Sequence, residues 1–169
     1  MFYAESGRAV TRSKLSAGLL VYREDPTGVL VLVCHPGGPL FAKKDLGHWT
    51  IPKGEPDDGE TDLLAVAQRE THEETGLVLG GPFVPLGSIV QKGGKHVHAW
   101  GAPWPRDVPI PALVSNTFEM EWPPRSGRRQ QFPEVDQMAF VDLPTARARL
   151  KETQWPFLDR LAQTLASRG

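Results

Sequence analysis

Between Asp62 and Thr75 the chain holds neither proline nor glycine, Thr61 or Asp62 stands ready to cap a helix, and Gly76 follows directly. Good helix formers fill the interval, so a helix is predicted there, ending at the glycine. At 100° per residue, Glu70, Glu73 and Glu74 project within an arc of roughly 100° and share one face. At about 6 Å and an effective dielectric of about 20, each like pair costs on the order of 3 kcal/mol. A solvated acidic face has the same spacing. So does a face that holds a hard divalent cation, for which Mg²⁺ is the natural candidate, since it takes oxygen ligands and keeps positions open for water and phosphate oxygens. Spacing alone does not choose between them. Arg69 is adjacent and Glu60 lies in the preceding loop, where an arginine–carboxylate bridge would fasten loop to helix.

The helix is set among strand signals. "KLSAGLLVYR" and "GVLVLVCHP" are rich in Val and Leu and are joined by the turn "EDPTG", which predicts a hairpin. "GGPLFAKKDLGHWTIPKGEPDDGE" reads as loop with one short strand at "HWTI". After the helix, "FVPLGSIVQ" and "KHVHAWGAP" flank "KGG" in a second strand, turn, strand pattern. "NTFEMEW" alternates apolar and acidic residues, and "QMAFVDL" adds a strand. Two helices are predicted in the tail, from Pro144 to Glu152 and from Pro156 to Ser167, the second with Phe157, Leu158, Leu161 and Leu165 at helical spacing.

A length of 169 residues suits one domain with a sizeable core. The 19 basic and 20 acidic residues leave a net charge of -1, so no bulk attraction to nucleic acid or membrane is implied. Cys34 is the only cysteine, which excludes an intramolecular disulfide and a thiolate metal cluster and fits a reducing, cytoplasmic setting. No stretch approaches 18 apolar residues, and the N-terminus lacks the order of a signal peptide. Residues 1–13 are expected to form a flexible arm, and residues 14–169 a single domain.

The stretch "GEPDDGETDLLAVAQRETHEETGL" resembles the Nudix box: Gly, five residues, Glu, seven residues, Arg-Glu, an apolar residue, any residue, Glu-Glu, any residue, Gly, apolar. Gly54, Glu60, Arg69, Glu70, Glu73, Glu74, Gly76 and Leu77 occupy its fixed positions. Two departures stand out. Thr71 fills the apolar position, and eight residues rather than seven separate Glu60 from Arg69. The extra residue is most simply placed at the loop–helix junction near Thr61, since inside the helix it would rotate everything beyond it by 100°. That placement preserves the glutamate geometry but leaves the Glu60–Arg69 contact open. "SAGLLVYR", "HWTIPKG" and "FPEVDQMAFVDL" extend the resemblance to most of the chain from Lys14 onward. They are similar to Nudix hydrolases of dinucleoside polyphosphates and capped RNA ends, and especially to bacterial proteins described as predicted NTP pyrophosphohydrolases.

The resemblance implies an α/β (α+β) fold, an α/β/α sandwich around a mixed sheet, and cleavage of a nucleoside diphosphate linked to another moiety. It implies that the Gly54 carbonyl with Glu70, Glu73 and Glu74 holds Mg²⁺ or Mn²⁺, that Glu134 adds a ligand or base, and that Arg69 and Glu60 brace the loop. It also implies small nucleotides as substrates, with an RNA end less favoured by the neutral charge balance, and dimers are frequent in the family. A ligand sensor with the same fold is the non-enzymatic alternative. Lys53, Lys43, Lys44, Arg125, Arg128 and Arg129 are cations available to phosphate, Lys53 and Arg128 being the substrate-binding candidates. Asp136 follows Glu134 closely. Trp49, Trp100 and Trp122 can stack a base or fill a core. His96 and His98 share a strand face but lack a third ligand, and His72, at a variable position of the box, is expected to face solvent.

Overall fold

The computed structural model describes residues 14–168, preceded by the backbone of two short paired strands, β1 (Phe2–Tyr3) and β2 (Ala9–Val10). The expected arm over residues 1–13 otherwise lies outside the described residues. The two Val- and Leu-rich runs form β3 (Leu15–Asp25) and β4 (Gly28–Pro36), paired antiparallel across the predicted turn. β5 (Lys53–Gly54) is a two-residue strand beside β3, and α1 (Leu63–Thr75) follows. β6 (Val84–Val90) and β7 (His96–Pro103) make the second hairpin, and β7 lies parallel to β3. β8 (Thr117–Glu121) and β9 (Arg129–Pro133) form a separate hairpin, before β10 (Val135–Asp142), α2 (Leu143–Arg149) and α3 (Trp155–Ala166).

The central sheet runs β10-β4-β3-β7-β6, with β5 attached to β3, and is mixed as expected. Successive side chains of a strand face opposite sides of the sheet, and β3 is buried on both. Leu20 and Tyr22 join Val31, Val33, Trp49 and Ile51 beneath Phe157, Leu158 and Leu161 of α3. Ala17, Leu19 and Val21 join Leu32 and Cys34 beneath Val66 and Ala67 of α1. A strand covered on both faces needs the nearly continuous apolar run seen in the sequence. The result is an α/β/α sandwich.

Several local expectations change. "HWTI" forms only isolated bridges, Thr50 with Cys34 and Trp49 with Leu150, and is not a strand. β9 was not anticipated, because "RQQFP" carries no alternation. The helix predicted to Glu152 stops at Arg149, where Leu150 turns extended to reach Trp49 and bury itself. A short 3-10 turn, Glu152–Gln154, then leads into α3.

Candidate active site

Asp62 caps α1 by accepting hydrogen bonds from the backbone N–H groups of Leu64 (3.1 Å) and Ala65 (3.2 Å), and Gly76 ends it with φ 84°. The helix is therefore regular from Leu63 onward, and the extra residue is absorbed at the junction around Thr61. Thr71 fills the apolar position with its side chain fully buried. The Glu60–Arg69 contact is made: Nη2 donates to Oε1 at 2.7 Å and Nε to Oε2 at 3.1 Å, a two-pronged bridge from loop to helix. Arg69 also donates to the Glu55 carbonyl (3.2 Å), to Glu70 (2.9 Å) and to Glu73 (3.1 Å). These carboxylates hold its guanidinium strongly protonated, Glu60 contributing most.

β5 brings the backbone of Gly54 against α1. A Cβ there would sit 2.1 Å from the Glu70 carboxyl carbon, so only glycine permits the approach. On the other side of β5, a Cβ at Gly18 would sit 2.5 Å from the Pro52 carbonyl oxygen. The two glycines let this short strand run between β3 and the glutamate face. The Lys53 backbone N–H donates to Glu74 Oε1 at 3.2 Å.

Glu134 reaches the same place from the junction of β9 and β10. Asn116 donates its N–H to the Glu73 carbonyl (2.7 Å) and accepts from the Glu134 N–H (2.9 Å), while Gly37 donates to the Glu134 carbonyl (2.9 Å). Glu70, Glu73, Glu74, Glu134, Gly54 and Lys53 consequently line one cleft of about 1000 Å³, with Asp57, Asp58, Ser16, Asn116 and Lys95.

The electrostatics follow from burial. Desolvation pushes Glu74 up to about 8, and the neighbouring Glu70 adds to the shift, while the Lys53 N–H opposes it. Glu70 and Glu134 are also raised by burial, Glu134 further by Glu73. Glu60, outside the cleft, is lowered by its bond to Arg69. Burial, and then the charges of Lys151 and Lys95, bring Lys53 down to about 8.

Among the described residues no three His, Cys, Asp or Glu side chains converge on one point at metal-ligand distance; Arg69 bonds both Glu70 and Glu73. The donor set nevertheless suits a hard divalent cation. It is all oxygen, four of its carboxylates line one cleft, and the Gly54 backbone is seated against one of them.

Other sequence candidates fall elsewhere. Arg128 is exposed in the β8–β9 turn and does not line the cleft; Arg125 is in the same turn, and Arg129 bonds Glu119. Lys43 and Lys44 lie in the loop after β4, where the Lys44 carbonyl contacts His35 Nε2 at 2.6 Å. Asp136 pairs with His35 Nδ1 at 2.7 Å. Trp49 is core, beneath Arg149 and bonded to Asp45. Trp100 and Trp122 are half-buried, Trp100 against the α1-side core, and His72 and His96 are exposed. Ser16, Lys95 and Asn116 line the cleft unannounced. Their positions depend on which strands become neighbours, and no local pattern carries that information.

A mixed sheet between helices, with a glycine strand laid against a carboxylate-bearing helix face, defines an α/β/α protein whose cleft presents acidic oxygen donors and two lysines. The chain belongs to the Nudix family: the NUDIX domain model matches residues 12–161. It is 36% identical over 97 residues to the bis(5'-nucleosyl)-tetraphosphatase [asymmetrical] of Rattus norvegicus, covering 50% of this chain and 61% of that protein. It is 45% identical over 56 residues to the 8-oxo-(d)GTP phosphatase of Mycolicibacterium smegmatis, covering 32% of this chain and 17% of that protein. The matches thus span under two thirds of either relative. Among solved structures, the Ap4A hydrolase of C. elegans in a binary complex superposes with TM-score 0.62 at 23% identity, over 90% of this chain and 98% of that one. The M. smegmatis Nudix hydrolase RenU gives 0.58 at 21%, over 99% and 94%. The NUDIX domain of Shewanella oneidensis NrtR, complexed with ADP ribose, gives 0.59 at 16%, over 96% and 94%. No helix among the described residues is long and apolar enough to cross a membrane.

Proposed function

We propose that this protein is a Mg²⁺- or Mn²⁺-dependent pyrophosphohydrolase that cleaves a nucleoside diphosphate linked to another moiety, with dinucleoside polyphosphates and nucleoside triphosphates as its substrate class. The observation that carries this is the gathering of Glu70, Glu73, Glu74 and Glu134 around the Gly54 backbone in one cleft. The names of the rat and C. elegans relatives, a bis(5'-nucleosyl)-tetraphosphatase and an Ap4A hydrolase, point the same way.

In this proposal Glu70, Glu73, Glu74 and the Gly54 carbonyl hold the cation, with Glu134 as a further ligand or base. When bound, a divalent ion neutralises pyrophosphate charge and lowers the pKa of water. Lys53 lines the same cleft and supplies a cation for the phosphates. Arg69, locked to Glu60 and the Glu55 carbonyl, fixes the loop carrying Gly54 and Glu55 relative to the helix. Glu134 is held by backbone bonds on both sides, so its carboxylate enters the cleft from a rigid base.

The test is product analysis by ³¹P NMR after incubating the protein and Mg²⁺ with diadenosine tetraphosphate, nucleoside triphosphates and ADP-ribose, with Glu74→Gln as control. Cleavage that disappears in the variant supports the proposal. Metal-dependent binding with no turnover of any of the three would replace it with a ligand-sensing role.

A further inference from the structure

Glu134 is placed by an irregularity in the sheet. Along β4, Val31 and Val33 belong to the α3-side core and Leu32 and Cys34 to the α1-side core. Alternation carries His35 to the α3 side, where its ring meets Trp49 edge-on at 5.2 Å. Along β10, Met138 and Phe140 pack on the α1-side core, and Val135 lies in it too. Val135 and Met138 are separated by an odd interval, which strict alternation would send to opposite faces. The register explains it: Val135 stands opposite Pro36 and Gln137 opposite His35, so β10 advances two residues while β4 advances one. Asp136 is the extra residue, a β-bulge immediately after Glu134 and Val135.

The bulge is latched. His35, 7% exposed, meets the Asp136 carboxylate through Nδ1 at 2.7 Å and the Lys44 carbonyl through Nε2 at 2.6 Å. Both partners are acceptors, so both ring nitrogens donate, and one side chain of β4 fastens the extra residue of β10 to the loop that follows β4. Two positions beyond His35, Gly37 donates its N–H to the Glu134 carbonyl at 2.9 Å. A Cβ at Gly37 would lie 1.9 Å from the Pro133 carbonyl oxygen, so only glycine allows this approach. The end of β4 therefore grips β10 at Glu134 and again at Asp136. Were the bulge lost, every residue before it would move one place along the ladder, drawing Val135 out of the core and Glu134 away from Gly37 and Asn116. Asp136 does not line the cleft, so any part it plays in the reaction is indirect.

We infer that His35 and Asp136 are positioning residues: their pair holds the bulge that aims Glu134 into the cleft, and it acts on the reaction through Glu134 alone. The kinetic part rests on the proposed hydrolase function, whereas the latch itself is readable in the resting protein.

The experiment is amide hydrogen exchange by NMR on the whole protein, beside steady-state kinetics on diadenosine tetraphosphate with Mg²⁺. The variants are His35→Gln, Asp136→Ala, Asp136→Asn, Glu134→Gln and the double variant His35→Gln/Glu134→Gln. Exchange at the Glu134 and Gly37 amides should quicken about tenfold in His35→Gln and in Asp136→Ala, as expected for losing one hydrogen bond to a charged group, and stay within about twofold at the α1 amides. Asp136→Asn keeps an oxygen for Nδ1 and should retain most of the protection. His35→Gln should lower kcat about tenfold with KM within about twofold, yet cost nothing further in the Glu134→Gln background, because a residue that acts through another is not additive with it. Asp136 is exposed, which spares the fold in its variants. Unchanged exchange in Asp136→Ala, or an asparagine that behaves like alanine, would overturn the latch. A full loss of kcat from His35→Gln in both backgrounds would overturn its action through Glu134. Wild type that turns over no nucleotide would sink the hydrolase proposal and with it the kinetic part, and exchange alone would then decide the latch.

Discussion

Replacing Glu74 with glutamine should stabilise the metal-free protein, and by an amount that depends on pH. The carboxyl moves from an ordinary 4.5 in the unfolded chain to about 8 in the folded one, chiefly through burial. Between those values the unfolded chain has released a proton that the folded chain keeps, so stability falls as pH rises from 4.5 to 8 and then levels. At 1.36 kcal/mol per pKa unit the penalty is roughly 3 kcal/mol at pH 7 and on the order of 5 kcal/mol above pH 8. The attraction to Lys53 is already contained in that shift. Glutamine keeps an oxygen for the Lys53 N–H, so little structure is lost. The assay is urea unfolding in EDTA at pH 5, 7 and 8.5. The variant's advantage should grow across that series, and saturating Mg²⁺ should shrink it by favouring wild type. An advantage constant with pH, or a variant less stable at pH 8.5, would show that Glu74 is not a desolvated carboxyl and refute the reasoning.

Three other outcomes are expected. Deleting Thr61 should lower both the melting temperature and turnover, because Glu60 already meets Arg69 with the longer loop and Asp62 already caps the helix; the cap alone is worth about 1 kcal/mol, and an unchanged melting curve would contradict this. Arg69→Lys cannot span Glu60, the Glu55 carbonyl and Glu73 together, so kcat should fall roughly tenfold, with a loss of stability on the order of 1 kcal/mol; steady-state kinetics beside urea unfolding would expose the opposite ranking. His35 is buried, which disfavours its charge, yet the Lys44 carbonyl and Asp136 outweigh this and raise its pKa. Its contribution should be complete below about 6.5 and lost as pH rises through the raised folded value, and a His35→Asn variant with the same unfolding-versus-pH slope as wild type would exclude it.

What was legible in the sequence was local. α1 declared itself through its cap, its stop and an unbroken run of helix formers, and the two apolar hairpins through turn residues between Val- and Leu-rich segments. The box located six cleft or bracing residues because its spacing encodes one loop and one helix. Residues delivered by long-range pairing were invisible: Ser16 and Lys95 reach the same cleft because β7 pairs with β3. The same limit misdirected the reading of "PPRSGRRQQ", where a basic turn looks equally suited to phosphate whether its hairpin points into the cleft or, like Arg128, out of it. For Trp49 the sequence left base stacking and core packing open, and the bridge to Leu150 makes it core.

The crowded glutamates of α1 are accommodated by Arg69 and by burial. Glu70 and Glu73 share one positive group: Arg69 is bonded to both through Nη1. Its other nitrogens are committed to Glu60 and the Glu55 carbonyl, so it can release the two cleft carboxylates without leaving its place. Glu74 lies beyond its reach and shifts its pKa instead. The three carboxylates thus settle differently: Glu70 and Glu73 pair with Arg69, while Glu74, chiefly through burial, has its pKa raised. In the proposed function, loading a divalent ion at this face requires both that Nη1 yield its partners and that Glu74 lose its proton. Proton release on metal binding, measured in two buffers of different ionisation enthalpy, should be close to one per protein near pH 7 in wild type and fall sharply in Glu74→Gln. Release unchanged in the variant would place the proton elsewhere and break the account.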